Sequence, residues 1–265
     1  MVRSTDRAVG VWLLVCCFLV FAMVVLGGVT RLTGSGLSMV RWAPLSGAIP
    51  PITAAAWKAE FSHYQQSPEF QKVNHQMTVT EFKAIFYVEY FHRLLGRAIG
   101  LVFLIPFLVF LWRGRIRRAL IPKLSLVFVL GGLQGLLGWY MVKSGLVDVP
   151  RVSPYRLTAH LIVAVAIYAY LFWTALGLLS ERSRHSTVSP LSRGAIGITA
   201  MIVVTILSGG FVAGLKAGHA FNTFPLMGGQ WIPSGYWVAE PFWLNLFETI
   251  PAVQFNHRWL AITTF

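Results

Sequence analysis

Charge is what this sequence of 265 residues has least of: only 12% of it is Asp, Glu, Lys or Arg, and acid is scarcest, with 9 carboxylate side chains against 22 Lys and Arg. With 56% hydrophobic residues and a mean hydropathy of +0.65, that scarcity excludes an ordinary water-soluble domain. Cysteine is nearly absent. The two present, Cys16 and Cys17, are neighbours in an apolar run, which excludes a long-range disulfide framework and leaves them as packing residues. No base-stacking or nucleic-acid motif accompanies the net charge of +13, so the basic excess does not point to nucleic acid. No segment indicates a separate globular domain; the longest polar stretch, residues 30–80, is rich in Gly, Pro and Ser and reads as an outer loop. The first apolar run follows a short basic start, as a signal peptide would, but has no small-residue cleavage site and reads as a retained anchor.

Uncharged runs fill the sequence instead. Residues 8–30, 98–112, 124–142, 157–180 and 194–215 carry no charge, and all but the second reach or approach the ~20 residues that cross a bilayer. The second extends backward through Leu94 and Leu95, with Arg93 and Arg97 snorkelling to the interface. The chain therefore reads as an all-α transmembrane helix bundle of five full spans, with a sixth that begins near Ile250 and is cut off at Phe265. Arg113, Arg115, Arg117, Arg118 and Lys123 crowd one short link, and Arg182, Arg184 and Arg193 another. With Arg3 and Arg7 they place the N-terminus and these links in the cytoplasm.

Two segments repeat. In GGVTRLTGSGLSMVRWAPLSGAIPP and GGFVAGLKAGHAFNTFPLMGGQWIP, Gly27 and Gly28 match Gly209 and Gly210. Gly36 matches Gly218, Pro44 matches Pro225, Gly47 matches Gly228 or Gly229, and Pro50 matches Pro233. Each is followed by a helix carrying His-Arg, in EYFHRLLG and QFNHRWLA. Spans one and two thus correspond to five and six, a four-helix unit (1–180) followed by an incomplete duplicate (181–265). Thr78 and Glu81 form a capping box that starts the helix of His92. From there to Trp112 only Pro106 interrupts, so the helix projects beyond the outer face.

Of the histidines, His63, His75 and His185 lie in polar loops, and His219 in a glycine-rich turn. His92, His160 and His257 stand just inside the outer ends of spans two, four and six. One membrane histidine reads as an interhelical hydrogen bond; three at one depth, two of them in repeated His-Arg contexts, read as a shared functional device. Neutral imidazoles from facing helices suit haem iron, and Arg93 and Arg258 suit haem propionates. Zinc fits less well, because the Cys or carboxylate ligands of its usual sites are missing at close spacing. Glu89, one turn before His92, is a functional candidate because carboxylates are costly in membranes, the plainer reading being an ion pair with Arg93. Its counterpart is neutral Gln254, which suggests two similar pockets with acid–base or charge-stabilising chemistry in one.

These motifs, together with TAHL around His160, resemble the haem A synthase family of bacterial and mitochondrial inner membranes over nearly the whole chain. The long first outer loop resembles the alphaproteobacterial and mitochondrial form. The resemblance implies eight helices in two halves and oxidation of a haem O methyl to the formyl of haem A through successive hydroxylations. It also implies catalytic roles for Glu89, His92 and His160 around the haem O substrate. His257 would be a ligand of haem b that relays electrons, its second ligand lying on an eighth span. That span is absent here, the chain ending before the last two helices. A cysteine pair that some members carry in the first outer loop is also absent, so no thiol step is assigned. Implied partners are membrane lipid, an electron donor and a haem O synthase (protohaem farnesyltransferase), with homo-oligomerisation left open. The implied location is the bacterial inner membrane, or alternatively the mitochondrial one.

Methyl oxidation needs an oxidant that a polypeptide lacks. Glu89 therefore either stabilises developing positive charge or takes a proton, and the electrostatic role is preferred. The rival reading is a bis-histidine b-type cytochrome that passes electrons, for example from quinol, without modifying haem. A transporter is disfavoured, since no span is broken at mid-membrane and the ionisable residues cluster at one surface.

Overall fold

Within a bilayer an open chain can satisfy its backbone only as helix, and the computed structural model is helical throughout its regular parts. It describes residues 4–43, 46–180 and 189–265. Arg3, Pro44, Arg182, Arg184 and His185 lie outside the described residues. In chain order the α-helices are α1 (Ser4–Leu32), α2 (Ala54–Gln65), α3 (Pro68–Lys72), α4 (Val79–Trp112), α5 (Ile121–Lys143), α6 (Pro154–Leu179), α7 (Pro190–Leu215), α8 (Asn245–Glu248) and α9 (Ile250–Thr264). Five of them, α1 and α4 to α7, are long and apolar enough to cross a membrane. The sixth apolar segment forms α9.

The chain divides into two compact units, Met1–Val152 with Val163–Arg182, and Ser153–Ile162 with Ser183–Phe265. In the first, α1 packs along α4. Trp12 donates its indole N–H to the Val102 carbonyl at 2.9 Å and meets the Phe103 ring at 5.1 Å. Cys16 and Cys17 are buried in this contact and unbridged. At the end of α1 that bears Asp6, Arg117 takes the buried carboxylate of that residue with two N–H groups.

Thr78 caps α4 in the expected reciprocal box with Glu81. At 34 residues the helix rises about 50 Å, some 20 Å more than the hydrocarbon core, so its first turns stand outside and Pro106 does not break it. The polar stretch 30–80 is more than a loop. It contains α2 and α3, whose Trp57, Phe61 and Tyr64 pack on Phe82, Phe86 and Tyr90 of the projecting turns. Tyr64 is fully buried, stacks on Phe82 at 4.9 Å, accepts from Asn74 at 2.7 Å and donates to Glu69 at 3.2 Å. Burial pushes its phenol well above the ordinary range, so it stays a donor.

In the second unit α7 packs on α9 and on the first turns of α6. Gly210 and Gly214, one turn apart, make room for Thr158 and Pro154. The loop before α8 is organised by Asn245, 1% exposed, whose amide accepts from Val238 and Ala239 and donates to the carbonyls of Ala239 and Phe242.

A Cβ at Gly214 would lie 2.6 Å from Pro154 Cα, whereas one at Gly197 on the same helix meets nothing within 4 Å. Gly214→Ala is therefore expected to destabilise by about 1–3 kcal/mol. Gly197→Ala is expected to be neutral or stabilising by up to about 1 kcal/mol. Thermal unfolding of the two variants in one detergent, followed by circular dichroism, measures the difference.

Candidate functional site

The first unit builds its site where α4 passes the C-terminal end of α1. A Cβ at Gly27 would sit 3.3 Å from His92 Nε2, so the glycine is what lets the imidazole edge approach the α1 backbone. One turn earlier on α4, Glu89 is 3% exposed and takes four hydrogen bonds. Its Oε2 accepts from Ser38 Oγ at 2.7 Å and from the Met39 amide at 2.8 Å. Its Oε1 accepts from Arg93 Nε at 3.1 Å and Nη2 at 2.5 Å. All four partners are donors, which suits a carboxylate in its acceptor-only, charged form.

Arg93 reaches further. Its Nη2 also donates to the Met39 carbonyl at 2.9 Å and its Nη1 to the Arg41 carbonyl at 3.4 Å, leaving a single Nη1–H for any other group. Thus the ion pair weighed as the plain alternative is present, and it pins the chain that leaves α1. Tyr90 and Arg97 extend the pinning to the carbonyls of Ala48 and Ala43, at 2.8 Å and 2.9 Å.

The second unit repeats this arrangement around His257. The register that matches Gly27 to Gly209 also matches Met39 to Phe221 and Arg41 to Thr223. Arg258 Nη2 donates to the Phe221 carbonyl at 3.1 Å, and Nη1 to the Thr223 carbonyl at 2.8 Å. A Cβ at Gly209 would sit 3.1 Å from His257 Cε1.

The two arrangements differ at Glu89 and Gln254. Gln254 donates Nε2 to the Phe221 carbonyl at 2.9 Å, and its buried Oε1 has no partner among the described residues. No carboxylate among the described residues pairs with Arg258. The first arrangement is therefore a neutral pair; the second keeps one uncompensated cation and one unfilled acceptor. His257 also has a neighbour that His92 lacks, Ser208, with Oγ at 2.7 Å from Nδ1.

Glu89, His92 and Arg93 thus stand together in the first unit, and His257 and Arg258 with Gln254 in the second. His160, half-buried on α6, belongs to the second unit, two residues beyond the Thr158 that fills the space at Gly210. His63, His75 and His219 are exposed. Among the described residues no group of three or more His, Cys, Asp or Glu could hold a bare metal ion. Isolated imidazoles instead suit iron whose equatorial ligands a macrocycle supplies.

The second arrangement fits a haem with anionic propionates: an imidazole engaged at one nitrogen and an unneutralised guanidinium. In the first, Arg93 is largely committed to Glu89 and to the two carbonyls, so propionate binding there has one N–H to draw on. Ser38 and Ser208 escaped the sequence reading. The signal for Ser208 was its place directly before the matched glycine pair.

Fold and site define a multi-pass α-helical membrane protein in which each unit seats a His-Arg pair against the loop behind it. The family described as cytochrome oxidase assembly protein (COX15-CtaA) matches residues 10–265, and the chain belongs to that family. A relative named heme A synthase, from Nitrosospira multiformis, is 54% identical over 264 residues, 98% of this chain and 74% of the relative. Another of that name from Paramagnetospirillum magneticum is 51% identical over 269 residues, 100% and 75% of the two chains. The human protein named heme A synthase COX15 is 47% identical over 272 residues, 99% and 66%. No solved structure matches the chain.

Removing Glu89 deprives the buried Met39 amide of its acceptor and strands a partly buried guanidinium. Glu89→Ala is expected to cost about 3–5 kcal/mol. Gln254→Ala removes one amide–carbonyl bond and is expected to cost about 1 kcal/mol. Denaturation of both variants in one detergent tests the ordering, and equal losses would contradict it.

Proposed function

We infer that this chain is a haem A synthase, a membrane oxidoreductase that oxidises a methyl group of its substrate haem O to the formyl group of haem A, and that it works with a haem cofactor. The observation that carries the reading is the doubled histidine–arginine seat with a carboxylate in one copy only. The kinship to proteins named heme A synthase supports the same reaction.

At the finer level, residues 1–180 form the substrate half, with His92 as an iron ligand and Glu89 beside the macrocycle. Residues 181–265 belong to the half that keeps haem b, with His257 as ligand and Arg258 on a propionate. The haem cofactor, when bound, supplies one-electron transfer. Glu89 acts as a fixed negative charge facing positive charge that develops on the substrate, its carboxylate oriented by four hydrogen-bond donors. Arg93 holds that carboxylate in place and carries only a minor share of propionate binding. The Gln254 amide, tied to the Phe221 carbonyl, offers no such charge. The N-terminus faces the cytoplasm and the membrane is a bacterial inner membrane, the basic links supporting both. A haem O synthase and an electron donor are the partners of this reading.

Expression of the chain in a host that makes haem O, followed by extraction and chromatography of its haems, tests the proposal. The wild type is expected to yield haem O and haem A. Glu89→Gln is expected to lower haem A formation on the order of 10²-fold or more while haem O stays bound. Undiminished haem A from Glu89→Gln would refute the electrostatic role, and haem B as the sole pigment of the wild type would mean a cytochrome that only passes electrons.

A further inference from the structure

Ser208 lies on α7 directly before Gly209, the glycine that admits the His257 ring. Its hydroxyl has one hydrogen and two neighbours, the Thr205 carbonyl at 2.8 Å and His257 Nδ1 at 2.7 Å. A carbonyl can only accept. If the hydroxyl hydrogen goes to Thr205, one turn back along the helix, His257 must be the donor at Nδ1. That assignment puts the imidazole proton on Nδ1 and leaves the Nε2 lone pair for a metal. Iron-binding histidines are oriented in this way by a partner on the other nitrogen.

The first seat lacks the device. Leu26 stands where the repeat places Ser208, and among the described residues neither nitrogen of His92 has a hydrogen-bond partner.

We propose that Ser208 is the positioning residue of a retained haem: it fixes His257 with Nε2 toward the iron, while His92, beside Leu26, is unheld and suits a haem that must leave. The proposal rests on the reading of His257 as ligand of a resident haem. A hydrogen bond at Nδ1 strengthens the imidazole as an electron donor to iron, so its loss is expected to raise the midpoint potential and to loosen the haem. Leu26 supplies no such bond. The two seats thus differ in grip as well as in charge: a haem entering as substrate and leaving as product gains from a ligand that can turn away, whereas a cofactor gains from one that cannot.

The test uses the purified haem-loaded chain and a pair of variants equal in shape, Ser208→Thr and Ser208→Val, of which only the first keeps a hydroxyl. Transfer of haem B to excess apomyoglobin and redox titration of its α-band are the two readouts. Ser208→Thr is expected to stay within about twofold of the wild type. Ser208→Val is expected to release haem on the order of 10–100-fold faster, with a raised potential. Equal transfer rates and potentials for the two variants overturn this proposal while leaving the resident haem intact. A wild type that holds no haem B overturns the reading beneath it, and the proposal with it. The haem-free protein gives a third readout: the ¹³C shift of His257 Cδ2 is expected to report the Nδ1–H tautomer in the wild type, and the Nε2–H tautomer there would also overturn the assignment.

Discussion

The histidine-bearing end of each unit depends on a guanidinium that grips the chain leaving the preceding helix. At the membrane boundary a turning backbone has carbonyls with no helix to satisfy them and little water to replace it. Arg93 meets the carbonyls of Met39 and Arg41, and Arg258 those of Phe221 and Thr223, with the planar donor fork that lysine lacks. Because each arginine directly follows its histidine on the helix, gripping the loop also fixes the rotation of that helix. The imidazole is thereby turned to the glycine that makes room for it. Loop, helix phase and histidine position are one constraint.

The same constraint explains why a single substitution between the repeats matters. Where Glu89 stands, the arginine is neutralised and the loop amide of Met39 is held by a charge. Where Gln254 stands, the loop is held through a carbonyl instead, and Arg258 keeps its charge. A partly buried cation without a counterion is costly, and that cost falls when an anionic ligand arrives. The second seat is thus made to receive a negative group, whereas the first presents a negative group of its own behind His92. An anion-receiving seat suits a retained cofactor, and a fixed carboxylate suits a reaction in which positive charge develops, so the proposed division of labour rests on one side chain.

Much of this could be read before any coordinates. Uncharged runs located all five spans because nothing else makes a stretch of that length free of charge, and the Thr78 capping box located the start of α4 because its chemistry is local. The His-Arg repeats located both seats. What could not be read depends on where donors are spent. The sequence offered the Glu89–Arg93 ion pair as one reading, but only the fold shows how both arginines divide their remaining N–H groups among the loop carbonyls. The helices within residues 30–80 were missed because Gly, Pro and Ser dominated the reading. Yet Thr53 and Ser67 cap α2 and α3, and Trp57, Phe61 and Tyr64 recur at helical spacing, so that signal was present and outweighed.

The glycines beside the histidines bear on how such a site is kept in a membrane. Apolar side chains gain nothing by leaving lipid for another apolar surface, so helix pairs are held by close backbone approach and by polar contacts between them. Gly27 and Gly209 provide the close approach at the level where each histidine sits, which joins the helix contact and the functional side chain in one place. In the second unit the contact is reinforced by Ser208 on the ring and by a Thr205–Thr264 hydroxyl pair at 2.9 Å further along α7 and α9. In the first unit the corresponding helices meet through the packing of Trp12, Cys16 and Phe103 and the Trp12 indole bond to the Val102 carbonyl, and none of these contacts touches the imidazole. A histidine held only by shape can turn when a bulky planar ligand enters or leaves; one held by shape and a hydrogen bond cannot do so without breaking that bond. The difference in grip and the difference in charge therefore point the same way in the two seats, which is the division of labour proposed above.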